Sequence, residues 1–381
     1  MAFLGNRTVN LLNLHYGLHS LAMALGGVFF GVYLLKAGLT LPQVLLAMAA
    51  ILMGRFLIRP LVLPLGKRIG LRGVLIAGSL ASAIQYPMLA MVSGMGSMLV
   101  ATLAVSSLGE TLYWTSYHAY FAQAGDAEHR GKHISVREAA AQVVGVIGPV
   151  VGGWALATLG PMWAFGFAGL AQAGAALPLF GTPKVEVPAT AEGGFAATRP
   201  GVMFFTADGF LASGFYWAWQ FALFQGLGES FTAYGGALAL AAVAGAIIGL
   251  FHGHNIDAGD GRRAVPIAFA AVAGTTLIRA LAATPGAHPA IFLVANALGA
   301  LVAGLYTPTL MTAVYNLSQA APCQLRFHIA SEGGFDIGCA AGLVLAAGLL
   351  TFGAPISLTV LQGVLGAVGT GLLMRRYYAR A

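Results

Sequence analysis

The sequence predicts an all-α integral membrane protein, with twelve transmembrane helices in two six-helix bundles related by pseudo-two-fold symmetry. Three observations carry that expectation. Apolar residues make up 58% of the 381 residues and charged residues only 8%, and the mean hydropathy is +0.82. A soluble domain carries about 25% charged residues, so this chain cannot cover a globule in water. Its apolar residues fall in runs of the ~20-residue length that crosses a bilayer as a helix. Its lysines and arginines gather at alternate ends of those runs.

The first run, 9–35, ends at the tight break KAGLTLP (36–42). The second, 41–65, meets the basic stretch GKRIGLR (66–72), and the third is 72–93. Runs at 97–123, 134–158 and 161–181 come next, the last two divided by the turn-like LATLGP. Residues 182–200, TPKVEVPATAEGGFAATRP, read as a flexible cytoplasmic linker. Six more runs lie at 201–225, 231–254, 264–284, 288–318, 326–351 and 355–376. The chain thus divides into a bundle at 1–181, the linker at 182–200 and a bundle at 201–381. Cations at Arg7, Lys67, Arg68, Arg72, Arg130, Lys132, Lys184, Arg199, Arg262, Arg263, Arg326, Arg375, Arg376 and Arg380 share one set of ends. Only Lys36 sits in a loop at the other set, and Arg55, Arg59, Arg137 and Arg279 lie within runs. The positive-inside rule then places both termini in the cytoplasm, here of a bacterial-type inner membrane. The net charge of +7 is read as a topology signal, and no nucleic-acid motif accompanies it.

The two halves echo one another at an offset of about 194 residues: GKRIGLR with GDGRRAV, TLYWT with GLYTP, and HISVREAA with FHIASEGG. Duplicated units of this kind place a binding site near the bilayer midplane between them. Cys323 and Cys339 make no disulfide framework.

A charge in hydrocarbon costs roughly 2.5–3.5 kcal/mol on insertion scales, so each one requires a reason. Glu110 lies mid-span and is a candidate proton carrier. His15 and His19, one turn apart on the first helix beside Tyr16, are candidate cavity hydrogen-bonders or proton carriers. As metal ligands they lack a third partner of clear spacing, and no metal is expected. Asp208 stands about 10 Å inside its span by helical rise and is a further proton-coupling candidate. Ser213, Tyr216 and Gln220 share a helical face. With Tyr16, Tyr113, Asn296 and Tyr306 they are the substrate-cavity candidates, and Asn316 on the same helix as Asn296 and Tyr306 is a further one. His118 finds no place in this scheme.

The six-plus-six pattern, central linker and basic loops resemble the major facilitator superfamily over essentially the whole chain. After the second helix that family carries G-x-x-x-D-[RK]-x-G-[RK]-[RK]. LPLGKRIGLR matches it at Arg68, Gly70 and Arg72, with Lys67 in place of the acid and Leu71 in place of a basic residue. Gly148, Pro149, Gly152 and Gly153 form G-P-x-x-G-G, similar to the helix-5 motif of the drug/proton antiporter branch, although Gly145 is one residue out of that motif's wider register. Small residues let helices approach closely in lipid, so this stretch reads as packed helix and not as loop. The resemblance implies that helices 2 and 11 meet across the halves. Arg55 and Arg59 would then face Glu332 and Asp336 in a gating ion-pair cluster, joined by Arg137 and Glu138. It also implies a central cavity lined by helices 1, 4, 7 and 10.

The function expected is proton-coupled secondary transport of a small organic solute by alternating access, export first. Proton-coupled uptake, transition-metal export and a non-transporting assembly or sensor role are the alternatives. The partners expected are a small-molecule substrate, protons and the lipid bilayer, with the chain a monomer. No enzyme activity, cofactor or nucleic acid is expected.

Overall fold

The computed structural model describes residues 7–124, 130–187, 196–252 and 261–380. Helices α1 (Arg7–Leu25) and α2 (Phe30–Lys36) join through a 3₁₀ turn into one rod. Next, α3 (Leu41–Ile58) starts at a capping box in which the Gln43 side chain accepts from the Thr40 backbone N–H at 2.8 Å. It continues through the turn Arg59–Leu61 into α4 (Val62–Ala90). Gly70, at φ 74° and ψ 164°, divides α4 at the expected boundary between two spans. Only glycine takes that backbone without strain, and an added Cβ there would also lie 3.2 Å from the Val185 carbonyl. Then come α5 (Ser97–Ala124), α6 (Arg130–Thr158) and α7 (Pro161–Ala175).

In the second half, α8 (Arg199–Ala212) and α9 (Trp219–Gly226) join through a π-helical segment, Ser213–Ala218. Beyond them lie α10 (Phe231–His252), α11 (Gly261–Ala282), α12 (Pro289–Ala320), α13 (Gln324–Thr351), α14 (Ile356–Leu361) and α15 (Gly363–Arg380). Among the described residues, 7 helical segments are long and apolar enough to cross a bilayer, and one of them, Leu41–Ala90, holds the Gly70 break. α5 and the α8–α9 rod fall outside that set. Each carries an acid within its span, Glu110 or Asp208, and α5 adds many hydroxyl groups.

α4 packs on α5 and α7, and α1 on α6 and α7. In the second half α8 packs on α13 and α15, and α12 on α10 and α11. The halves meet along α3 with α13 and along α6 with α10, and α5 and α2 add contacts to α13 and α9. The GPVVGG stretch is helical and serves two neighbours. A Cβ added at Gly148 or Gly152 would overlap Ala24 or the Leu25 carbonyl of α1. One added at Gly153 would overlap the Phe231 carbonyl of α10, and Gly235 of α10 lies against the Pro149 carbonyl. These small residues therefore bring α6 into close packing both within its half and across the seam.

The stretch expected as a flexible linker is held at its start. Arg72 Nη1 donates to the Thr182 carbonyl at 2.6 Å. Leu71 N donates to the Val185 carbonyl at 3.0 Å, and the Tyr120 hydroxyl to the Pro183 carbonyl at 2.5 Å. Val187 is buried beside Gly66. The basic turn after the second span is thus a clamp on 182–187, with Arg68 exposed beside it.

Candidate functional site

A charged cluster crosses the seam. Arg55 and Arg59 lie one turn apart at the end of α3, and Glu332 and Asp336 one turn apart on α13, so each pair projects from one face. Arg55 Nη1 contacts Glu110 Oε2 of α5 at 2.7 Å, and Arg55 Nε contacts Asp336 Oδ1 at 3.0 Å. Arg59 Nη1 donates to Glu332 Oε2 at 2.6 Å and to Thr115 Oγ1 at 2.8 Å. Arg59 Nε and Nη2 both donate to Asp336 Oδ2, the former at 3.2 Å. Arg59 and Asp336 are fully buried, whereas the Glu110 side chain is 34% exposed. Glu110, an isolated carboxyl in the sequence reading, is therefore ion-paired. The side chains of Arg137 and Glu138, expected in the same cluster, lie outside the described residues.

One turn along α13 from Glu332, the ring of His328 stacks on His118 of α5 at 5.6 Å. The Tyr315 hydroxyl of α12 lies 3.3 Å from His118 Nδ1, and Ser318 Oγ lies 3.1 Å from His328 Nε2. This polar contact between the halves is missing from the sequence reading. Its members lie some two hundred positions apart in the chain and share no motif. A third contact between the halves closes the opposite end of the seam, where Lys36 Nζ meets Glu229 Oε2 at 2.9 Å.

The two histidines of α1 point into their own half. His15 Nδ1 lies 2.6 Å from the Ala175 carbonyl and His19 Nδ1 2.9 Å from Gln172 Oε1. The Ala175 backbone carbonyl can only accept, so His15 Nδ1 carries the proton and its Nε2 presents a lone pair. Both Nε2 atoms are buried without a hydrogen-bond partner. His19 stacks on Tyr113 at 4.0 Å with Trp114 edge-on at 5.3 Å, and Tyr16 stacks on Tyr117 at 5.3 Å. The two histidines therefore sit among aromatic rings, each with an unpartnered Nε2. Among the described residues no group of three or more His, Cys, Asp or Glu has metal-holding geometry.

The second half holds a separate polar group. Asp208 is buried with Oδ1 unpartnered. The Tyr216 and Tyr306 hydroxyls lie 3.1 Å apart. Trp219 Nε1 donates to Asn296 Oδ1 at 3.0 Å, and Asn296 Nδ2 donates to the Ala237 carbonyl at 3.1 Å. The face expected for Ser213, Tyr216 and Gln220 is split by the π segment. Its i→i+5 bonding inserts an extra residue in the turn and rotates the helix beyond it. Ser213 faces α14 and α15, accepting from Gln362 Nε2 at 3.2 Å. Tyr216 faces α12, and Gln220 is half-buried. Nothing in the side-chain pattern signals that turn.

The sequence profile of the Major Facilitator Superfamily matches residues 12–322. No curated protein matches the chain. Among solved structures, the human organic anion transporter MFSD10 (TETRAN) is similar at 18% identity and TM-score 0.70, over 96% of this chain and 99% of that one. An auto-inhibited POT family peptide transporter is similar at 14% identity and TM-score 0.67, over 97% of each chain. The POT family transporter PepTSo is similar at 11% identity and TM-score 0.71, over 99% of each. At these identities the likeness is one of fold, and it agrees with the helical architecture above. Together with the profile match, it establishes that this multi-pass membrane chain belongs to the Major Facilitator Superfamily of transporters.

Proposed function

We propose that this chain is a proton-coupled secondary transporter that exports a small organic solute by alternating access. One observation carries the proton coupling. Three carboxylates and two guanidinium groups share the seam between the halves. With all five ionised the cluster holds one net negative charge where unpaired charge is costly, and a single proton brings it to neutrality. Glu110 takes that proton, being the least buried of the three carboxyls. Its neutralisation releases Arg55 from α5 and leaves two cations facing the two acids of α13, so that the charge balance across the seam changes with proton traffic.

His15, His19 and Asp208 are the inner proton-handling groups, one set in each half. Tyr16, Tyr113, Tyr216, Gln220, Asn296 and Tyr306 contact the solute, and Ser213, turned to α14 and α15, does not. Organic anions and peptides, named for the similar structures, are small organic solutes, and this supports that class alone. The export direction rests on the GPVVGG likeness to antiporters. The chain works as a monomer in an inner membrane, both termini cytoplasmic, with no cofactor and no nucleic-acid partner.

The test is reconstitution into proteoliposomes with an imposed pH gradient and a luminal pH dye. Solutes are chosen first by thermal shift, since a ligand of the folded state raises its apparent stability. A stabilising solute should discharge the gradient in wild type and fail to do so in Glu110→Gln. Solute flux indifferent to the gradient would overturn the coupling. Absence of flux for every stabilising solute would favour a sensor or assembly role.

A further inference from the structure

Two grooves flank α15 where it reaches Arg375 and Arg376. The first, of about 590 Å³, lies between the start of α8 and the end of α15. Met203, Phe204, Leu373 and Tyr377 line it, and Arg199 and Arg376 complete it. Phe204 meets Tyr377 edge-on at 5.8 Å, giving the groove an aromatic wall. The second, of about 230 Å³, lies between α11 and α15 along Val265, Phe269, Ala367 and Gly371, and ends at Arg375. From Ala367 to Arg375 it runs about 12 Å by helical rise. Successive residues on a helix point about 100° apart, so the two arginines address the two grooves.

The surroundings of this flank indicate its cover. Leu365, Val368 and Leu372 on α15 and Ile267 on α11 are each more than half exposed. In a membrane-spanning chain such side chains face acyl chains, so the grooves open to lipid. No acidic side chain lines either groove, and Arg199, Arg375 and Arg376 form no ion pair with a described residue. A zwitterionic headgroup would bring its own cation up against these three arginines, whereas an anionic one brings none. Basic pockets beside transmembrane helices suit anionic headgroups.

We propose that these grooves are a binding site for an anionic phospholipid. Its phosphate sits between Arg199 and Arg376, one acyl chain lies on the Phe204–Tyr377 wall, and a second runs along the α11–α15 slot below Arg375. The occupant straddles α15 and ties α8 and α11 to it, apart from the seam and its charged cluster.

The test uses the delipidated full chain in neutral detergent, with native mass spectrometry and thermal unfolding. The probes are phosphatidylglycerol, cardiolipin, phosphatidylcholine and inorganic phosphate. The anionic lipids should be retained as a discrete adduct and raise the thermal midpoint; phosphatidylcholine and phosphate should not. Arg199→Gln with Arg376→Gln should weaken that binding about thirtyfold, the loss expected for two guanidinium contacts to anionic lipid. Leu373→Trp keeps the charges but fills the groove, and it should weaken retention as well. Met203→Trp makes the same test from the facing wall if the first variant does not fold. Equal retention of phosphatidylcholine, or binding unchanged in the double glutamine variant, overturns the site. Stabilisation by inorganic phosphate alone, or retention unchanged by both tryptophans, overturns the acyl seat.

Discussion

Arg59 and Arg279 are both buried, at 2% and 4% exposure, yet the molecule satisfies them in opposite ways. Arg59 reaches across the seam to Glu332 and Asp336. Arg279 stays within the second half. It donates to the Phe215 carbonyl at 2.6 Å, to Ala295 at 3.3 Å and to Asn296 at 3.5 Å. Its guanidinium lies over the rings of Phe215 at 4.3 Å and Trp219 at 5.0 Å. Gly299 leaves it room, since a Cβ there would overlap the guanidinium. It has no carboxylate partner among the described residues. The difference separates two uses of buried charge. A carboxylate can be neutralised by a proton, so a pair across the seam has an off state. A backbone carbonyl cannot, so Arg279 fastens its bundle whatever the pH.

The largest expected effect tests the first half of that comparison. Arg59→Met leaves Glu332 and Asp336 buried with Arg55 as their remaining cation. Breaking a buried ion pair in this way costs about 3–5 kcal/mol, to be read from unfolding in detergent. Adding Glu332→Leu should recover much of the loss, because Asp336 keeps Arg55 while the apolar replacement removes the charge that Arg59 alone had paired. A single variant as stable as wild type would mean that the cluster does not hold the seam. The second half is tested by Arg279→Lys. An ammonium loses the planar fork and the stacked faces, and incomplete satisfaction of buried carbonyls costs about 1–3 kcal/mol. Its pH profile of transport should match wild type, whereas Arg59→Lys should shift the profile.

The contrast between the two arginines was only half legible in the sequence. Apolar runs and the sidedness of the cations reveal the helices because lipid tolerates so few exceptions. Arg55, Arg59, Glu332 and Asp336 stand out for the same reason: each is an intramembrane charge, and each pair has one-turn spacing. That they meet was implied by the family resemblance and not by the residues, which would equally suit charges snorkelling separately to the interface; their gating role stands as a proposal. The partner of each arginine could not be read, and the Arg55–Glu110 contact depends on how α3 and α5 are rotated. Arg279 was opaque because its partners are backbone carbonyls, which leave no mark on residue type. The π segment was hidden similarly, since Ser213–Ala218 fits an ordinary helix equally well by composition. Glycine was more informative. Gly70 takes a left-handed backbone, and the glycines of GPVVGG lie where a Cβ would collide with backbone, or with Ala24 in the case of Gly148.

Glu110→Gln sharpens the comparison with a smaller effect on stability. The Glu110 side chain is a third exposed, so its pair with Arg55 is less buried than those of Arg59, and the loss should stay below the roughly 3–5 kcal/mol expected there. Function should change far more than folding. With the extra carboxylate gone, two cations face two acids permanently, and a pH gradient has nothing to load at this site. Solute should still equilibrate across the vesicle while accumulation against its gradient disappears. If accumulation persists, the proton site lies elsewhere, and His15, His19 and Asp208 become the groups to replace.

The smallest effect comes from the pair at the opposite end of the seam. Lys36 and Glu229 are 2.9 Å apart, but their side chains are 41% and 44% exposed. Lys36→Gln should cost about 0.2–1 kcal/mol at low salt. That cost should vanish near 1 M salt, where the screening length is about 3 Å. Glu229 occupies left-handed backbone at φ 55°, so Glu229→Gly would mix relief of strain with loss of charge. Glu229→Gln keeps the strain and isolates the pair, and a double-mutant cycle with Lys36→Gln reads the coupling directly. The same cycle on Arg59 and Asp336 should keep its coupling at 1 M, because no water reaches them. A coupling at Lys36–Glu229 equally indifferent to salt would place both ends of the seam out of contact with solvent. Closure at the Arg59 level would then no longer distinguish one end from the other.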